Sequence, residues 1–232
     1  PILLFGITLF LGFYIQIRKS SSKHLFLFQP SSKYIIISGL LIALFFLTVW
    51  LASRAMLSPM SYDSGLYHFN IIRWTNEYPI VPGLGNLHGR LAFNQSFFTY
   101  VAALNLHPFF GHGHSIANSY LLLLTIVTMC ELILIAFSNF QHDSKIQAFY
   151  WAMPLFCLPI IAYWALSSRG INSPSPDLTS SLLQTIIFII FVRLMADFVY
   201  EKKCSLPECT VLFLLAATAI TVKLSSIVFC GL

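Results

Sequence analysis

Six apolar stretches constrain this chain more than any other feature: residues 1–17, 34–53, 116–137, 148–166, 178–198 and 209–230. A helix needs about 20 apolar residues to cross a hydrocarbon core about 30 Å thick, and each stretch approaches that length, the first being read as clipped. They are continuous runs, without the alternation of a membrane β-barrel. The predicted fold is therefore all-α, a multi-pass transmembrane helical bundle forming a single membrane domain. Composition points the same way: only 9% of the 232 residues are charged, against about 25% in an ordinary soluble domain. Residues 1–17 lack a basic leader and a small-residue cleavage site, so they read as a truncated span and not as a signal peptide. The sequence opens at Pro1 and stops at Leu232 inside an apolar run, and it reads as a piece of a longer protein.

The formal net charge of +5 reports membrane orientation before anything else, and nucleic acid is not an expected partner. Arg18, Lys19, Lys23, Lys33, Lys145, Arg193, Lys202 and Lys203 fall on one side of the predicted spans, and Arg54, Arg73, Arg90 and Arg169 on the other. The positive-inside rule assigns the first group to the cytoplasm and residues 62–115 and 167–177 to the outer face. The five cysteines form no CxxC pair and read as small apolar fillers.

Residues 62–98, YDSGLYHFNIIRWTNEYPIVPGLGNLHGRLAFNQSFF, are the longest polar-containing interval and gather Asp63, His68, Arg73, Glu77, His88 and Arg90. The pattern predicts a helix over 62–76 capped by Ser61, a turn at Pro82-Gly83-Leu84-Gly85, and a second helix over 91–106 stopped at His107-Pro108. The second is too short and too polar to span, so both are placed in the interface plane of a large extracytoplasmic loop. At about 100° per residue, Asp63, Tyr67, Asn70 and Trp74 share one stripe, suited to holding a polar ligand.

Several residues could carry chemistry. Asp63, just beyond the second span, could act as a general base or simply stabilise a helix start. Asp177 follows Ser173-Pro174-Ser175-Pro176, whose prolines suit either a helix start or a positioned second carboxylate. Lys223 interrupts the sixth stretch, at about 2.5 to 3.5 kcal/mol for a helix centre; it either meets a phosphate or Asp177, or snorkels to headgroups. Arg73 and Arg90 offer guanidinium forks for a phosphate or for lipid headgroups. Glu131 reads as a helix–helix hydrogen-bonding group. His107, His112 and His114 lie close in sequence but lack a nearby acid or cysteine, so a Gly-rich turn is expected there before a metal site. Residues 82–85 match no phosphate-loop pattern.

A span, an acid soon after the membrane boundary, two interface helices and further spans together resemble the GT-C superfamily of membrane glycosyltransferases, which includes the protein O-mannosyltransferases and the aminoarabinose transferases. Asp63, in Tyr62-Asp63-Ser64, occupies the place of that family's first-loop acid, and Asp177 that of a second. The segment Ala219-Ile220-Thr221-Val222-Lys223-Leu224-Ser225 is similar to its lysine-bearing helix. The 62–98 string and SPSPDL are closer still to a group of bacterial multi-pass membrane proteins. The chain has Tyr-Asp where many GT-C enzymes have paired acids.

The resemblance implies an enzyme of the bacterial cytoplasmic (inner) membrane that transfers a sugar from a polyprenyl-phosphate donor to a glycan, lipid or protein acceptor on the outer face. It implies Asp63 and Asp177 as catalytic carboxylates, Asp63 being the base, Arg73, Arg90 and Lys223 as phosphate partners, and Tyr67 and Trp74 as sugar-stacking surfaces, with His68 and Asn70 also lining the substrate. It leaves a divalent cation, Mg or Mn, open. A lipid-linked oligosaccharide polymerase or transporter, or a non-catalytic structural membrane protein, stands as the alternative.

Overall fold

The computed structural model describes residues 30–231 apart from 80, 93–94, 107–110, 139–143, 168–169 and 202–204; the predicted first span, 1–17, lies outside them. The described residues are helical and contain no strand. The long helices are α1 (Pro30–Ala55), α5 (Gly113–Ser138), α6 (Ser144–Leu166), α7 (Pro176–Glu201) and α8 (Leu206–Val222). Between α1 and α5 lie a π turn (Ser64–His68) continuous with α2 (Phe69–Glu77), the one-turn α3 (Leu84–Leu87), a 3-10 turn (Gly89–Ala92) and α4 (Ser96–Leu104). A short α9 (Ser226–Cys230) closes the described chain.

Among the described residues three helices are long and apolar enough to cross a membrane, over Ser38–Ala55, Gly113–Leu134 and Pro176–Ala196. By length and composition this is a membrane protein. A helix closes its own backbone hydrogen bonds, the condition a segment must meet in hydrocarbon. On α1, Leu41, Ile42, Phe45, Phe46 and Val49 point outward, as suits a lipid-facing surface. The apolar helical stretches over Tyr150–Leu166 and Leu206–Val222 are shorter; the first belongs to α6, which is 23 residues long in all.

Two expectations are corrected. The helix expected through 209–230 breaks at Lys223, which is extended (φ −150°, ψ 117°) between α8 and α9. Lys223 therefore caps a helix instead of interrupting one, and its ammonium finds a carboxylate there, so the burial cost of a mid-helix cation does not arise. The second interface helix is confined to Ser96–Leu104, and a 3-10 turn lies ahead of it over Gly89–Ala92. In the connection between the interface helices, Gly83 sits at φ +82°, left-handed backbone that its missing Cβ permits.

The molecule has two apolar centres. One lies inside the bundle, where Leu51, Leu122, Met129, Ile161, Leu178 and Leu182 meet. The other lies beneath the interface segment, where Tyr67, Ile72, Phe97, Phe98 and Val101 pack onto Ala117 and Val222. α4 thereby rests on α2, α5 and α8, as an interface helix with its apolar side on the bundle should.

The α4–α5 junction is tight. Gly113 donates its N–H to Asn105 Oδ1 at 2.6 Å, and a Cβ there would stand 2.6 Å from the Val101 carbonyl oxygen and 2.7 Å from the Asn105 amide nitrogen. Gly113→Ala is expected to cost about 1–3 kcal/mol by overpacking against backbone and to lower the melting midpoint in detergent by several degrees. Gly39→Ala, with nothing within 4 Å of the added carbon, is the matched control and should leave the midpoint unchanged or higher.

Candidate functional site: two ion pairs around a buried histidine

Distant parts of the chain converge at one end of the bundle. Arg54, in the last turn of α1, donates to the Leu166 carbonyl at the end of α6 at 2.8 Å. Asn172, just before α7, donates to the Ser58 carbonyl at 2.9 Å. Residues 170–176 are all buried, and buried backbone needs partners. Asn118 supplies them from the first turns of α5: its amide donates to the carbonyls of Ser173 (2.7 Å) and Ser175 (2.9 Å), and its Oδ1 accepts from the Thr179 hydroxyl at 2.8 Å. The Ser64 and Ser173 hydroxyls, 2.6 Å apart, join this loop to the π turn.

The clasped loop delivers Asp177 into the first turn of α7 with its side chain exposed. Asp177 thus starts a helix, where a negative charge is favoured. Lys223 Nζ lies 2.5 Å from its Oδ1. The residues are 46 apart in sequence, and the break after α8 is what lets the ammonium reach the start of α7.

A second pair lies on the interface segment. Arg90, in the 3-10 turn, bonds Asp63, which immediately precedes the π turn. The Arg90 guanidinium also sits 5.5 Å from the centre of the Tyr67 ring, within cation–π range. Burial pushes the Tyr67 hydroxyl above its usual pKa, and the Asp63 charge adds to the shift.

His68 is the centre of the arrangement. It is 1% exposed, with ring centroids 4.4 Å from Tyr67 and 5.2 Å from Phe98. Burial lowers its pKa to about 4, outweighing the opposing pull of Asp63 and then of Asp177, with Arg90 lowering it further. Both carboxylates and one of the cations thus act on a single imidazole. Neither ring nitrogen has a hydrogen-bond partner.

Not every sequence candidate joins this cluster. Arg73 is exposed and paired with Glu77 at 2.9 Å, one turn along α2. Asn70 turns back to the Leu66 carbonyl at 3.4 Å, and Trp74 is half-buried further along α2. A π turn holds more residues than an α turn, so the 100° stripe assumed for Asp63, Tyr67, Asn70 and Trp74 loses register between its first and last members. Sequence reasoning missed Ser64, Asn118, Ser173 and Thr179. Asn118, an amide in an apolar run, was the available signal, because such a group must find partners.

Among the described residues no group of three or more His, Cys, Asp and Glu is placed to hold a metal ion, and each site carboxylate already faces a cationic side chain. His112 and His114 have ring centroids 6.0 Å apart, and His107 lies outside the described residues. Chemically, the site offers two carboxylates, each paired with a cation, and two partly exposed cations within reach of an incoming anion.

Residues 1–232 match the model of a family described as Domain of unknown function (DUF8201). No curated protein and no solved structure matches the chain significantly.

Proposed function

We propose that the chain, which belongs to this DUF8201 family, is the membrane part of a glycosyltransferase that moves a sugar from a polyprenyl-phosphate donor to a hydroxyl acceptor. One observation carries the reading: the pairs Asp63–Arg90 and Asp177–Lys223, built from four distant places in the sequence, gather around Tyr67 and His68 at one end of an apolar bundle. Acids with displaceable cations at a membrane boundary suit a reaction in which a hydroxyl loses a proton and a phosphate departs. We place this end at the outer face of a bacterial inner membrane, with the helices as successive crossings.

In the proposed reaction the donor phosphate draws Arg90 and Lys223 to itself, as guanidinium and ammonium groups favour phosphate oxygens. Asp63, released from Arg90, accepts the acceptor's hydroxyl proton. The hydroxyl oxygen bonds to the anomeric carbon, the bond from that carbon to the phosphate oxygen breaks, and its electron pair leaves with the phosphate. The two cations stabilise that developing charge. Departure of Arg90 also uncovers the face of Tyr67, which then offers a stacking surface to the sugar. Arg73, tied to Glu77, serves lipid headgroups in this reading and not the reacting phosphate.

The test uses the full-length protein in lipid nanodiscs, supplied with a polyprenyl-phosphate sugar. The expected result is loss of sugar from the donor with release of polyprenyl phosphate. Binding of undecaprenyl phosphate, followed by native mass spectrometry, should weaken about tenfold in Arg90→Gln and in Lys223→Gln, the effect of losing one charge-assisted hydrogen bond. Absence of transfer from every polyprenyl-phosphate sugar, together with equal retention of the lipid by wild type and both variants, overturns the proposal.

A further inference from the structure

We propose that a ring nitrogen of His68 is the hydrogen-bonding position for an uncharged hydroxyl of the ligand, which deepens the glycosyltransferase reading by naming where a sugar hydroxyl is held. Three Brønsted bases surround the site, and two are occupied: Asp63 by Arg90, and Asp177 by Lys223. His68 is the third. It is fully buried, yet its Nδ1 and Nε2 bond to nothing.

A neutral imidazole has one donor and one acceptor nitrogen. Leaving such groups buried and unpaired costs about 1–3 kcal/mol each, and Phe in the same aromatic pocket would avoid the penalty. Polar atoms kept at that cost call for a partner outside the chain. The chemistry of the partner follows from the surroundings. Tyr67 and Phe98 form aromatic walls, where an ion would be heavily penalised. Burial keeps the imidazole neutral down to about pH 4, so it is equipped to bond a hydroxyl and not to counter a charge. Phosphate is served instead by Arg90 and Lys223.

The local backbone supports this assignment. His68 ends a π turn, an uncommon element often found at functional sites. Gly65 within it has nothing within 4 Å of a Cβ position, so the turn has room to readjust. Tyr67, the residue that carries Arg90 on its ring, also contacts the imidazole. Movement of Arg90 toward a phosphate would free Tyr67 to turn and admit the hydroxyl.

The experiment follows the imidazole nitrogens by NMR in full-length protein labelled with 15N-histidine and held in nanodiscs. The His68 resonances are assigned by their disappearance in His68→Phe or, should that variant misfold, in His68→Gln. The probes are n-octyl β-glucoside and octyldimethylamine oxide, which share the chain and differ in carrying hydroxyls. The expected result is a saturable shift of one His68 nitrogen with the glucoside alone, together with a melting midpoint in His68→Phe equal to or above wild type. Equal shifts with both probes mean an adventitious additive only, and no shift with either means a buried water or an empty pocket; each outcome overturns the inference. The readout needs no turnover: a glucoside-specific shift without sugar transfer would leave this binding position standing while the glycosyltransferase reading fell.

Discussion

Asn118→Leu is expected to destabilise the protein by about 3–9 kcal/mol, from two loop carbonyls and one hydroxyl that lose their partner at about 1–3 kcal/mol each. Asn118 is fully buried, so water does not replace its three bonds to Ser173, Ser175 and Thr179. Leucine branches at the same carbon as asparagine and is the larger of the two, which keeps cavity formation out of the comparison. Two measurements separate loss of the clasp from general damage. The melting midpoint in detergent should fall by about 10 °C or more, and limited proteolysis should find a new cleavage region within 170–176, which is buried in the wild type. An unchanged midpoint with 170–176 still protected would show that the loop is held by something other than this amide. Asp177 follows the loop directly, so the same substitution should also weaken its pairing with Lys223.

How far the sequence reveals this structure depends on which force decides each feature. The long helices were legible because burial in hydrocarbon forces helix formation wherever apolar residues run on, and α1, α5 and α7 lie where the composition places them. The interface segment was legible as helix–turn–helix for a related reason: Pro79, Pro82 and Gly83 punctuate amphipathic runs. Features set by one side chain finding another were not. Lys223 looked like a cost within a helix because its partner, Asp177, is 46 residues away, and only the packing of α7 on α8 makes ending the helix there favourable. The π turn has no marker in periodicity, so the residues after it were assigned to the wrong stripe. Asp63, Asp177 and Lys223 could be chosen as charges that need a reason in an apolar chain, and Asp177 could be named as one partner open to Lys223, but the counter-ion of Asp63 could not be chosen the same way. Arg73 and Arg90 look alike in sequence; only the fold ties one to Glu77 and brings the other to Asp63.

The second large effect is expected on activity. Under the proposed mechanism Asp63→Asn should lower sugar transfer by about 10²–10⁴-fold, the usual contribution of a positioned general base, while leaving insertion and melting midpoint near wild type. The side chain is about the same size, remains able to accept from Arg90, and is 40% exposed, so packing changes little. Asparagine cannot take the hydroxyl proton. Asp177→Asn separates the roles of the two acids. An acid that holds Lys223 in place acts through that cation, so Asp177→Asn and Lys223→Gln should be strongly non-additive, the double variant being little worse than the worse single one. Asp63→Asn combined with Lys223→Gln should instead come close to multiplying the single effects, because proton removal and phosphate stabilisation are different contributions to one transition state. Initial rates of transfer, normalised to inserted protein, supply all the values. Wild-type rates in Asp63→Asn would remove Asp63 as the base, and additivity of Asp177→Asn with Lys223→Gln would show that the 2.5 Å contact between them has no part in the reaction.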